Sequence, residues 1–143
     1  MLVNEVLNYN KIIKNIIDNS TDVGGLAKFK LLGILKQFEP IVQDFEIVRN
    51  ETISKYGTYN NQGILGVFPP DKDKYDNEEE FKKANDEYKS IVDKIDSELE
   101  KVAKAEVTVN ISKIKYSDIM DAGIPAEYLV AIYDFIEEWL EDE

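Results

Sequence analysis

LAKFKLLGILKQFEPIVQDFEIVRNETISKY, residues 26–56, decides how the chain folds. Leu31, Ile34, Phe38, Ile41, Phe45 and Val48 recur at alternating steps of three and four, the spacing that keeps apolar side chains on one stripe of a helix. Such a heptad-like seam needs a partner of the same period. Phe81, Ala84, Tyr88, Ile91, Ile95, Leu99 and Val102 supply one between residues 78 and 105. Two matched ridges separated by a 58–77 insert predict an antiparallel helical hairpin with its charges solvated on the outer faces. If helical throughout, residues 26–56 span roughly 46 Å at 1.5 Å per residue. Pro40 removes one hydrogen bond inside that helix and predicts a kink, and Gly57 is a natural C-terminal stop.

Outward from the hairpin, Val6, Tyr9, Ile13, Ile16 and Ile17 follow Asn4 at helical spacing, so a first helix capped by Asn4 is expected to run to Asn19. In the insert, Asn60-Asn61-Gln62-Gly63 reads as a turn, 64–68 as a short apolar run, and Pro69-Pro70-Asp71-Lys72-Asp73 as an exposed connector. A small hairpin or ordered loop is expected there. Asn77 followed by Glu80 reads as a capping box for the next helix. Val107, Val109 and Ile111 alternate with Thr108 and Asn110, which predicts a strand over 107–111; its nearest partner is the 64–68 run, with a second copy of the chain as the alternative. Ser117 starts a short helix stopped by Gly123, and Pro125 opens a final helix over 125–141. The expected fold is mainly α: a long antiparallel helical hairpin flanked by N- and C-terminal helices, with a minor two-stranded β element, in a single domain over 1–143.

Composition excludes more than it assigns. With 143 residues and 43% hydrophobic content, one ordinary core is expected. The net charge of −12 is uneven: residues 1–57 are neutral, 71–106 carry −5 and 107–143 carry −7. That surface repels phosphate backbones, so direct nucleic-acid binding is not expected, whereas attraction to basic protein surfaces is. The lysines are interleaved with acids, and Arg49 is the sole arginine, so bidentate forks for phosphate or guanine are nearly absent. Without cysteine or histidine the chain lacks disulfides, thiol nucleophiles, the commonest general base near neutral pH and the usual ligands of zinc and copper. Met1-Leu2-Val3-Asn4-Glu5 does not open a signal peptide, and no apolar run reaches the ~18 residues that cross a bilayer, so a cytoplasmic protein without membrane partners is expected.

The remaining chemical candidates read as structure. Asp71-Lys72-Asp73-Lys74-Tyr75-Asp76 begins like a calcium loop, but Asp76 stands where the sharp turn requires glycine and Lys82 where a bidentate glutamate is needed. Glu78-Glu79-Glu80 and Glu137-Glu138 fall on expected polar faces, without the burial that acid–base work by a carboxylate needs. Gly24-Gly25, Gly63 and Gly66 match no phosphate-binding spacing. No catalytic residue, cofactor or metal site is therefore expected. An enzyme working with Asp, Glu, Lys or Tyr alone is the least favoured reading.

Residues 125–143 hold seven carboxylates and no basic residue. Tyr128, Leu129, Ile132, Phe135, Ile136 and Trp139 make a stripe wide enough to dock on the hairpin. Tyr133, Glu137, Glu138, Trp139, Leu140 and Glu141 form the expected partner-binding face, an aromatic anchor rimmed by acids. Those terminal acids oppose the helix dipole, at a cost of ~0.3–1 kcal/mol each at low salt.

Ile53-Ser54-Lys55-Tyr56-Gly57, the glycine-containing insert, the acidic start of the next helix, Val107-Thr108-Val109-Asn110-Ile111 and Ile124-Pro125-Ala126-Glu127-Tyr128-Leu129 occur in an order that resembles a family of small uncharacterised phage proteins, encoded in the tail-gene region of long-tailed phages of low-GC bacteria. The resemblance spans about residues 1–140 and departs at Val67-Phe68-Pro69-Pro70, which is more apolar than expected. It implies a phage source and the host bacterial cytosol, and it carries no catalytic residue. Three classes of function follow. The first is a non-enzymatic phage protein that binds another protein stoichiometrically, inhibiting a host defence or replication component, with acidic nucleic-acid mimicry as a sharper version. The second is a virion or tail assembly factor. The third is the enzyme already described.

Overall fold

The computed structural model describes residues 1–19, 23–120 and 122–137. The protein is mainly helical, and the two arms of its hairpin are α2 (Gly25–Tyr56) and α3 (Glu78–Ala103). Both seams point inward as the spacing requires: Leu31, Ile34, Phe38 and Ile95 are buried, and the remaining seam positions are half-buried. The ridge of α2 nevertheless does not zip along one partner. The chain divides into two compact units, Met1–Gln43 with Glu106–Glu143, and Asp44–Ala105. At 1.5 Å per residue a 32-residue helix is roughly 48 Å long, longer than one small core, and its apolar stripe is shared between two. The helix is continuous through Pro40.

In the first unit, α1 (Val3–Asn19) brings Val6, Ile13 and Ile16 against Ala27, Leu31, Ile34 and Phe38 of α2. Each of these larger side chains contributes roughly 1.5–3 kcal/mol when fully buried. The helix starts at Val3, not behind an Asn4 cap. The Leu2 amide donates to Glu5 Oε1 at 2.9 Å, so the third helical residue does the capping. Leu2 also bridges Glu106, and the Val107 amide donates to the Met1 carbonyl at 2.8 Å.

The expected strand over 107–111 is a correction. The segment has no regular secondary structure, and the alternation is right about faces: Val107, Val109 and Ile111 pack on the core while Thr108 and Asn110 are exposed. It forms no ladder, because the 64–68 run is engaged elsewhere. The strand of this unit is β3 (Ile114–Lys115), which pairs in parallel with β4 (Ile136–Glu137). Between them lie α4 (Tyr116–Ile119), Gly123 at φ 80°, and α5 (Ala126–Ala131) after Pro125.

The expected final helix over 125–141 is also corrected, since α5 ends at Ala131 and a 3-10 turn, Tyr133–Phe135, leads into β4. Leu129, Ile132, Phe135 and Ile136 are buried all the same. A stripe spaced three and four apart is met equally by a short helix, a tighter turn and a strand that reach the same core. Here β-branched Ile136 takes its backbone partners from β3. Phe135 packs edge-on between Tyr9, at 4.6 Å between ring centroids, and Phe38, at 5.9 Å.

The second unit joins the end of α2 to α3 around the insert. β1 (Thr58–Tyr59) and β2 (Leu65–Gly66) form a two-stranded antiparallel hairpin. Asn60 Oδ1 accepts from the amides of Gln62 and Ile64, both at 2.9 Å, and Gly63 adopts φ 76°, a conformation that L side chains avoid. Asn77 Oδ1 accepts from the Glu80 amide at 2.8 Å and caps α3. Lys55 Nζ and Tyr56 Oη both donate to Glu98 Oε1, at 3.1 and 2.8 Å, and fasten the two arms. None of the described helices is long and apolar enough to cross a membrane.

Candidate functional site

The apolar seam of α2 accounts for Leu31, Ile34 and Phe38 but not for Leu26, Phe29 and Leu32, which are 54%, 74% and 40% exposed. At 100° per residue, Phe29 and Gly33 stand one turn apart on the face turned away from the core stripe. An exposed aromatic beside two exposed leucines on one stretch of helix is an apolar patch of the kind that marks contact sites.

Beside that stretch runs the irregular segment after Val107. A groove of about 420 Å³ lies between them, walled by Phe29, Leu32, Gly33 and Lys36 of α2 and by residues 110–113. Among the described residues, the amides of residues 108–112 have no hydrogen-bond partner within the chain. Val109 and Ile111 pack on the core and hold the segment in place, while those amides stay unbonded within the described chain. An extended peptide added alongside would satisfy them.

Gly33 adds an independent signal. In a helix interior glycine is about 1 kcal/mol less favourable than alanine. A Cβ built at Gly33 meets no atom within 4 Å, so the packing of this chain does not demand its absence. Gly33 lines the groove instead.

The charge of the groove is opposite to that of the chain. Lys30, Lys36 and Lys113 line it in a protein of net charge −12. Lys30 Nζ is 2.6 Å from Asp118 Oδ2, which leaves Lys36 and Lys113 as the positive groups facing outward. The site therefore combines an apolar floor, an open strand edge and a cationic rim. Among the described residues no three acidic or other metal-ligating side chains gather to hold a metal ion.

The partner-binding residues expected from the sequence are only partly placed. Tyr133 lies in the 3-10 turn with its side chain exposed, and Glu137 is exposed in β4, so the two do not share a helical face. Glu138, Trp139, Leu140 and Glu141 lie outside the described residues. The sequence reading missed the groove because it followed the seam and ignored the apolar residues off it. Leu26, Phe29 and Leu32 surplus to the stripe, with Gly33 inside a helix, were the signals. Comparison with protein-family models, with curated proteins and with solved structures finds no match to this chain.

Proposed function

We propose that this protein acts without catalysis by binding another protein stoichiometrically, taking an extended, acidic segment with apolar side chains into the groove between α2 and residues 110–113. The single observation that carries the reading is that the groove's lining joins residues 110–112, whose backbone amides have no partner among the described residues, to the exposed Phe29. Main-chain hydrogen bonds would hold any extended segment, and the groove between Phe29 and Leu32 would select apolar side chains. Lys36 and Lys113 favour acidic residues at the edges, through attraction that speeds encounter and weakens in salt. The absence of histidine and cysteine from the sequence supports a non-enzymatic role.

The phage source implied by the resemblance makes a host defence or replication component one class of partner and a phage structural protein the other. A photocrosslinking amino acid at Phe29, compared with one at exposed Lys82 of the other unit, tests the site in host lysate and in phage-infected cells. The expected result is one dominant crosslinked protein from the Phe29 position, 1:1 by native mass, competed by a peptide of the crosslinked segment. Equal capture from Lys82 would refute the groove as the site. Turnover of a small molecule by the purified chain would refute the non-enzymatic reading.

A further inference from the structure

We infer that the aromatic pocket of the Asp44–Ala105 unit receives a cationic side chain, an arginine or lysine presented by a basic protein segment. The pocket has a volume of about 460 Å³ and is lined by Tyr56 from the end of α2, Phe68, Pro70 and Tyr75 from the insert, and Glu87 and Tyr88 from α3. Four aromatic rings thus converge on one cavity whose single charged lining residue is a carboxylate. Among the described residues no lysine or arginine lines it. Phe68 and Tyr75 remain 42% and 36% exposed although the insert folds directly against α3, and Tyr75 is braced edge-on by Phe81 at 6.0 Å between centroids.

Chemistry narrows the occupant. The faces of aromatic rings carry negative quadrupole charge and attract cations. The protein already uses one of these rings in that way, since Lys55 Nζ stands 5.0 Å from the centroid of Tyr56. Its charge is paired with Glu98 at 3.1 Å and so does not neutralise the pocket. An anion entering the cavity would meet Glu87, in a stretch, 71–106, of net charge −5. A purely apolar side chain would fill the cavity but offer Glu87 no counter-charge. An arginine or lysine satisfies both demands: its methylene stem lies along Pro70 and the rings while its head reaches the carboxylate. Arginine fits better, because its planar guanidinium stacks on a ring and forks onto a carboxylate together. This pocket is separate from the groove of the first unit, and the inference does not depend on the function proposed there.

The test is titration of the full chain with the pentapeptide Ac-Ala-Arg-Ala-Arg-Ala-amide, followed by NMR of the tyrosine ring protons. Matched peptides carry norleucine or glutamate in place of arginine. The expected result is that the arginine peptide shifts Tyr56, Tyr75 and Tyr88, and that both matched peptides bind at least tenfold more weakly. Glu87→Gln, on an exposed helical position, and Phe68→Leu, which keeps apolar volume but removes the ring, should each weaken the arginine peptide about fivefold. Phe29→Ala, in the other unit, should leave it unchanged. Equal binding of the norleucine or glutamate peptide would overturn the inference. So would arginine-peptide binding untouched by both Glu87→Gln and Phe68→Leu, which would mean attraction to net charge alone.

Discussion

Lys30 Nζ on α2 lies 2.6 Å from Asp118 Oδ2 on α4, with the two side chains 34% and 25% exposed. The pair ties the helical wall of the groove to the segment that follows β3, and it also consumes one of the three lysine charges there. Two opposed outcomes follow for Asp118→Asn. Stability should fall by about 0.5–1.5 kcal/mol, the net worth of a partly shielded charged hydrogen bond. Affinity for an acidic extended peptide should rise by a few-fold at low salt, because Lys30 then faces the groove unpaired. Urea denaturation and calorimetric titration at two salt concentrations measure both. A fall in affinity would mean that Lys30 serves the fold and not the groove.

Gly33→Ala separates stability from function. The substitution should stabilise the chain by ~0.5–1 kcal/mol, since helix propensity improves and the added Cβ meets nothing within 4 Å. It should also weaken peptide binding by about tenfold, ~1.4 kcal/mol, if the methyl group narrows the space beside Phe29. Thermal denaturation and peptide titration on the same sample decide it. A more stable variant with unchanged affinity would remove Gly33 from the site.

The groove and the fold were legible to different degrees, and the reason is visible residue by residue. Periodicity reports which side of a segment faces a core, and it did so for both seams, for the Val107, Val109 and Ile111 alternation and for the Leu129, Ile132 and Ile136 stripe. It does not report which other segment completes the core. That is why the ridge of α2 divides after Gln43, and why residues 107–111 form no ladder. It also does not fix the backbone form of short stretches. The buried stripe after Pro125 is built from six helical residues, a 3-10 turn and a two-residue strand. Binding surfaces made of backbone amides leave no residue-type signature at all, so the edge at 108–112 emerges only once the chain is folded.

Gly57 marks where the insert closes on the hairpin. A Cβ there would lie 2.5 Å from the Ile53 carbonyl oxygen and 2.9 Å from that of Gly66, and both are backbone atoms that cannot swing aside. Gly57→Ala should therefore force β1 away from the end of α2 and destabilise the second unit by about 1–3 kcal/mol, the usual range for overpacking. Hydrogen exchange should show faster exchange of the Asn60 amide, which donates to the Ile64 carbonyl at 2.9 Å. Because the pocket takes residues from both sides of this junction, the same variant should also lose arginine-peptide binding. Unchanged exchange at Asn60 would show that the hairpin tolerates the displacement.

Tyr9 of the first unit and Glu98 of the second should lose their stabilising protonation states at opposite ends of the pH scale. In the first, Tyr9 Oη donates to Asp134 Oδ2 at 2.9 Å while its ring packs on Phe135. Burial first, then the Asp134 hydrogen bond and the charges of Asp134 and Glu5, raise the phenol above its ordinary 10.0. The folded state thus holds this proton more tightly than the unfolded state, so the stabilisation is complete below pH 10 and is lost as pH rises through the folded value. In the second unit, the Tyr56 hydrogen bond first, and then Lys55, hold the Glu98 carboxyl below its ordinary 4.5. That contribution is complete above pH 4.5 and disappears as pH falls through the folded value. Tyr9→Phe should flatten the alkaline limb of hydrogen-exchange protection in α1 and leave the acid limb of α3 unchanged. Tyr56→Phe should do the reverse. An alkaline limb that persists in Tyr9→Phe would assign the loss to another group and remove Tyr9 as its source.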